Sequence, residues 1–360
     1  MHSVFVAAAI AILVVACGTG DTRKLGPASP QAAARSASPT PTFNMDDMMG
    51  FYPQQTVFIA DVEKVSAVTL LNHFTRYSIP TRGKAQVAVD GSVSSASTWF
   101  YVLDGIESGP LRLRTFDLAT GIERTSRSDI GSVASPHRAI ASVGDGRVMV
   151  LKSDARHAWV DAYERLTLKP LGAVMEKPGC GDRLLASQAR IAIVCLATGE
   201  VAIDALRGAG TSVLRAAPGL AGVAMDDGGS IWLVTADRQL GAVLPGEMTL
   251  RRLEWPSAWS GTVLADGLAL ATGAASLVVA QTDTEGSWLR VLATNVVSPR
   301  TSIRLAGRLT GAPQFGILAL YPFAYFASGG SVRHVQIDQG MLETMTELGQ
   351  GATIAAVVDR

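Results

Sequence analysis

The segment TIAAVVDR, residues 353–360, reads as a short apolar strand of the kind that opens a sheet, with no strong strand core behind it. The segment TVFIAD, residues 56–61, has the opposite defect, a strong strand core with no opening strand ahead of it. Joined, the two complete one sheet. The chain is therefore predicted to close on itself by pairing its last strand with its first, which removes the open sheet edges that invite aggregation.

TVFIAD is the first of seven such cores. It is followed by WFYVLD from 99, RVMVLK from 147, RIAIVC from 190, SIWLVT from 230, SLVVAQ from 276 and FAYFAS from 323. The spacing, about 40 to 50 residues, is that of a four-stranded propeller blade and too long for a leucine-rich or ankyrin unit. Short apolar segments ending in Asp or Gly precede several cores: QVAVDG (86–91), AIASVGDG (139–146) and GVAMDDGG (222–229). Behind the second core, LRLRTFDLATGIERTS holds two alternating segments about the turn Ala119-Thr120-Gly121, and VCLATGEVAIDA (194–205) echoes that turn. The expected architecture is all-β, a seven-bladed β-propeller over residues 45–360 with strands A, B, C and D in each blade. The competing arrangement is two β-sandwich domains divided near residue 218.

The phrases YVLD and FDLATG, with the repeat period, resemble the bacterial seven-bladed propellers of the YVTN and quinoprotein-like group. The resemblance spans about residues 50–360. No blade carries the Trp-Asp pair of WD repeats, and the tryptophan-docking repeat of quinone-dependent dehydrogenases is not found.

Ahead of the repeat, Val4 to Ala16 form an uncharged apolar run of thirteen residues. That is short of the roughly 20 needed to span a bilayer and suits a signal-peptide core. The run ends Val14-Val15-Ala16-Cys17-Gly18, which resembles the lipobox of bacterial lipoproteins; the resemblance implies that Cys17 is lipidated and heads the mature chain. Residues 1–16 are then a signal peptide. Residues 17–44, rich in Pro, Ser and Ala, are a disordered tether with too little apolar surface to offset the entropy of ordering. The expected location is extracytoplasmic, on a bacterial membrane in the cell envelope.

Three cysteines occur, and with Cys17 assigned to lipid, Cys180 and Cys195 remain as a pair. They bracket two strands, 183–186 and 190–195, joined by Ser187-Gln188-Ala189, and a hairpin would bring them together as a disulfide in an oxidising compartment. The 31 basic and 31 acidic residues balance and are spread along the chain, leaving no electrostatic footprint for nucleic acid.

Chemistry-bearing motifs are sparse. The histidines at 2, 73, 137, 157 and 334 show no HxH, HxxxH or HExxH spacing, so no metal ligand set is assigned. There is no GxSxG elbow, no EF-hand loop and no phosphate loop, so no catalytic residue and no cofactor is expected. Asp90, Asp145, Asp226, Asp227 and Asp359 fall at the ends of proposed inner strands and are candidate channel-mouth acids. Trp255 and Trp259 in EWPSAWS are candidate loop aromatics for recognition or packing. The expected function is a non-catalytic binding or assembly module for a protein or envelope polymer, held to the membrane by its lipid. The alternative is a propeller enzyme, a lyase, hydrolase or quinone- or sugar-linked dehydrogenase working at the central channel.

Overall fold

The computed structural model describes residues 55–358 apart from 71, 91–97, 107–108, 132–138, 155, 206–210, 272–274, 296–297, 306–308, 310–315, 329–330, 339, 341 and 348–352. The expected signal peptide and tether, Cys17 and Asp359 lie outside these residues, and every described strand falls within Asp46–Arg360. Seven four-stranded antiparallel sheets make up the fold. Each is a blade, named here from its innermost strand A to its outermost strand D.

Blade 1 runs outward through Thr353–Val358, Thr56–Ala60, Lys64–Thr69 and Thr75–Pro80, and blade 2 through Gln86–Val89, Trp99–Gly105, Leu111–Asp117 and Glu123–Arg127. Blade 3 comprises Ile140–Ser142, Arg147–Ser153, His157–Glu164 and Pro170–Pro178; blade 4, Arg183–Ala186, Arg190–Cys195, Glu200–Ala205 and Thr211–Arg215. Blade 5 comprises Leu220–Met225, Ile231–Thr235, Leu240–Val243 and Arg251–Leu253; blade 6, Thr262–Ala271, Ser276–Thr282, Ser287–Ala293 and Ser298–Leu305. Blade 7 comprises Gly316–Leu320, Phe323–Ser328, Ser331–Gln336 and Leu342–Glu347. All seven predicted cores are B strands. Each A strand packs beside the A strands of the next and previous blades, and the series returns from blade 7 to blade 1, so the sheets form a closed seven-bladed propeller. Paired β-sandwiches are excluded by this order.

Why the B strands read as unbroken apolar runs follows from their position. Both faces of a B strand are covered by neighbouring blades, so no alternate residue is left for water. Thr56–Ala60, Arg190–Cys195 and Ile231–Thr235 are buried at every position, whereas the D strand Thr75–Pro80 is mostly exposed or half-buried. The hydrophobic core is accordingly divided into seams between blades. In the seam between blades 1 and 2, Phe58 and Phe100 lie 4.7 Å apart between ring centroids, and Phe100 stacks on Phe116 at 5.1 Å.

The closing strand pairs as expected. Val57 lies opposite Val357 and Thr56 opposite Val358, and a bulge between Phe58 and Ile59 shifts the register so that Ile59 faces Ile354. Ile354 joins the seam with blade 7, beside Phe323, Tyr325 and Val332, while Val358 joins the seam with blade 2. One strand thus supports both seams that bound its blade.

Candidate functional site

In an antiparallel blade the A–B and C–D turns emerge on one face, called here the AB face. The B–C turns and the connections between blades emerge on the other, the BC face. The centre of each face is ringed by the ends of the A strands.

On the AB face, Asp90 follows strand A of blade 2 and is buried. Its Oδ1 accepts from the Ser142 hydroxyl at 3.0 Å, at the end of strand A of blade 3, and its Oδ2 pairs with Arg165 Nη1 at 3.2 Å. Burial, followed by the Asp90 charge, pushes the nearby Tyr101 phenol up. This group joins blade 2 to blade 3 as a carboxylate held by a hydroxyl and a guanidinium.

Of the other predicted acids among the described residues, Asp145 and Asp226 bond within their own turns. Asp145 accepts from the Arg147 N–H at 3.1 Å and from its Nε at 2.7 Å. Asp226 Oδ1 accepts from the Ser230 N–H at 2.7 Å, capping the A–B turn of blade 5. The neighbouring Asp227 carboxyl is raised by burial and then by the Asp226 charge.

A second charged group on the BC face has no counterpart in the sequence reading. Arg183, the first residue of strand A in blade 4, is buried and reaches Asp266 of blade 6, past blade 5, with Nε and Nη2 at 3.2 and 2.5 Å from Oδ1. Asp266 is offered by a bulge in strand A of blade 6 between Val263 and Leu268, where it adopts a left-handed φ of 57°. The following residue must be glycine, because a Cβ on Gly267 would meet the Leu264 carbonyl oxygen at 2.5 Å. Lys84, just before strand A of blade 2, is within electrostatic range; burial and then Arg183 lower its ammonium pKa. The Asp-Gly of LADGLAL was a visible break in an apolar run, but its partner 83 residues away was not.

The tryptophans of EWPSAWS form a packed unit. Trp259 is buried, Trp255 is half-buried and donates its Nε1–H to the Trp259 carbonyl at 3.1 Å, and the rings meet edge to face at 5.9 Å. Arg290 lies over both Trp259 and Trp288, at 5.4 and 4.2 Å from the ring centroids, beside Asp283 at 3.8 Å. One face of the Trp259 ring is thereby occupied by the chain itself.

Cys180 and Cys195 form the predicted disulfide, with Cα atoms 5.5 Å apart. Beside it, Lys177 is 1% exposed and donates from Nζ to the Pro178 and Cys180 carbonyls and to Glu200 Oε2, at 3.1, 3.0 and 3.0 Å. Among the described residues, the one grouping of three His, Cys, Asp or Glu within 4.8 Å is Cys180, Asp182 and Cys195. Its sulfurs are spent on the disulfide, and Asp182 Oδ2 accepts the Leu196 N–H at 2.7 Å. Of the histidines, His73 and His334 meet edge to face at 5.7 Å in the seam of blades 1 and 7. His334 is buried beside Phe323 and Tyr325, and burial, followed by His73, lowers its pKa to about 4.

No known protein family matches the chain, and no curated protein resembles it in sequence. Solved structures do share the fold. Apo AztD from Citrobacter koseri aligns with a TM-score of 0.55 at 13% identity, covering 85% of this chain and 98% of that one. A second AztD crystal structure aligns at 0.53 and 12% identity, with the same coverage. BamB from Moraxella catarrhalis aligns at 0.45 and 12% identity, over 81% of this chain and 88% of that one. At such identities the likeness to AztD is one of fold.

Proposed function

We propose that the chain is an extracytoplasmic propeller, tethered to a bacterial membrane through a lipidated Cys17, that acts as a non-catalytic binding or assembly module for a protein or envelope polymer. The observation that carries the reading is how the charged groups around the channel are used. Asp90 is engaged by Ser142 and Arg165 across a blade seam, and Arg183 and Asp266 are engaged with each other across the ring. Such pairs hold blades in place and take these four charged side chains out of general acid or base chemistry. The Cys180–Cys195 disulfide supports an oxidising compartment. The pairing of the chain's last strand with its first supports a rigid ring, which presents turns as a preorganised surface.

The test is a pull-down from solubilised membranes with the full chain, the Cys17→Ala variant and residues 45–360 alone. The expected result is that Cys17→Ala leaves the membrane fraction while residues 45–360 still capture the same envelope partner. A purified domain that finds no envelope partner and turns over a small molecule would instead support the channel-enzyme alternative.

A further inference from the structure

Among the described residues, three of the exposed large apolar side chains fall on corresponding turns, Phe74 and Ile122 at the last position of theirs and Leu166 at the third of its own. Phe74, Ile122 and Leu166, exposed by 64%, 56% and 39%, lie on the C–D turns of blades 1, 2 and 3, all on the AB face. The turns Thr69–Phe74, Asp117–Ile122 and Glu164–Lys169 have one backbone design. The first N–H of each donates to the last carbonyl, at 3.0, 3.0 and 2.9 Å, and the fifth residue is left-handed: His73, Gly121 and Leu168, with φ of 54°, 68° and 55°.

The turns are also joined side by side. From blade 1, Arg76 Nη2 and the Tyr77 hydroxyl donate to the Ala119 and Leu118 carbonyls of the blade 2 turn, at 3.2 and 2.8 Å. From blade 2, the Thr115 and Thr125 hydroxyls donate to the Arg165 and Leu166 carbonyls of the blade 3 turn, at 3.2 and 2.7 Å. The three apolar side chains therefore belong to one continuous, preorganised arc rather than to separate loops.

The charges along the arc select the partner. Asp117 accepts from the Thr120 hydroxyl, the N–H groups of Thr120 and Ala119, and Arg124; Glu164 accepts from the N–H groups of Thr167 and Leu166. Asp90 is paired with Arg165. The carboxylates are thus committed within the turns, while the cations of the arc are Arg76, Arg124, Arg165 and Lys169. Once Asp117–Arg124, Asp90–Arg165 and Glu123–Arg114 are matched, Arg76 and Lys169 stand against Glu164, a positive surplus of one around the apolar side chains.

We propose that this arc docks a protein partner through an apolar segment flanked by carboxylates. The proposal rests on the binding-module reading and assigns its face and partner chemistry. Apolar anchors would supply affinity, and the complementary charge would supply orientation and on-rate.

The experiment selects a displayed library of random short peptides on the immobilised full chain, followed by binding of the enriched peptides in solution. Phe74, Ile122 and Leu166 are each replaced by Ser; all are exposed, and unchanged thermal unfolding checks that the variant folds. Enrichment of peptides combining aromatic or aliphatic residues with Asp or Glu is expected, with affinity falling at least about tenfold in the triple variant and with added salt. The Val62→Ser, Ile106→Ser variant, on the BC face, is expected to leave binding unchanged. Peptides without acidic bias, equal binding to the triple variant, or occupation of the arc by a second copy of the chain in sedimentation would overturn the proposal. If the triple variant retains the membrane partner captured by the wild type, this face is wrong and the module reading stands; if the wild type captures none, the module reading itself falls.

Discussion

Replacing Ile354 by Ala tests the closure of the ring at the buried side chain that ties the closing strand to blade 7. Ile354 is buried in the seam of blades 1 and 7 among Val57, Ile59, Phe323 and Tyr325. The substitution removes three carbons, about 2.4 kcal/mol at roughly 0.8 per buried CH₂, and the cavity left behind raises the expected loss to about 2–4 kcal/mol. The strand that carries Ile354 pairs with Thr56–Ala60, almost the whole sequence away. If that strand is part of the ring, its loss of packing is felt globally, and the midpoint of denaturant unfolding falls without a change in slope. Val213→Ala, on the exposed D strand of blade 4, provides the control and is expected to stay within about 0.5 kcal/mol. A loss below about 0.5 kcal/mol for Ile354→Ala, with faster hydrogen exchange confined to 353–358, would refute the reasoning, because it would mean that this strand frays independently of the ring.

Acid should weaken the same seam. His334 has a folded pKa of about 4 against an ordinary 6.5, so its contribution to stability is complete above pH 6.5 and is lost as pH falls through about 4. The loss totals about 3 kcal/mol and should be reduced in His334→Phe, as measured by urea unfolding across that range. Replacing both Cys180 and Cys195 by Ser opens a loop with a sequence separation of 15 and should cost about 3 kcal/mol by denaturant titration. Gly222→Ala should cost about 1–3 kcal/mol by thermal unfolding, because its Cβ would meet Leu268 Cβ at 2.4 Å and Leu268 N at 2.9 Å, where the A strands of blades 5 and 6 pack. A neutral Gly222→Ala would show that those strands can separate freely.

The candidate site was less legible than the ring. Asp90 was found because it ends an apolar strand, yet its partners Ser142 and Arg165 belong to the next blade and carry no local signal. Arg183 and Asp266 are single charged residues in apolar surroundings, and only curvature of the ring brings them together. The repeated Leu-Ala-Thr-Gly turn is instructive. In blade 2 it makes the C–D turn on the AB face, and in blade 4 it joins strands B and C on the BC face. Local sequence specified the turn's backbone in both places. It did not specify the face.

By itself, the sequence determined the number of blades, their B strands, the disulfide hairpin and the pairing of first and last strands. These depend on hydrophobic periodicity and turn chemistry, which act over a few residues and repeat. The tertiary structure alone decided which charges meet across the channel, that Trp259 is buried under Arg290, and that Phe74, Ile122 and Leu166 share one arc. Those relations join residues about 30 to 90 positions apart. They are set by how twisted sheets stack around an axis, a long-range geometry that no short window of sequence records.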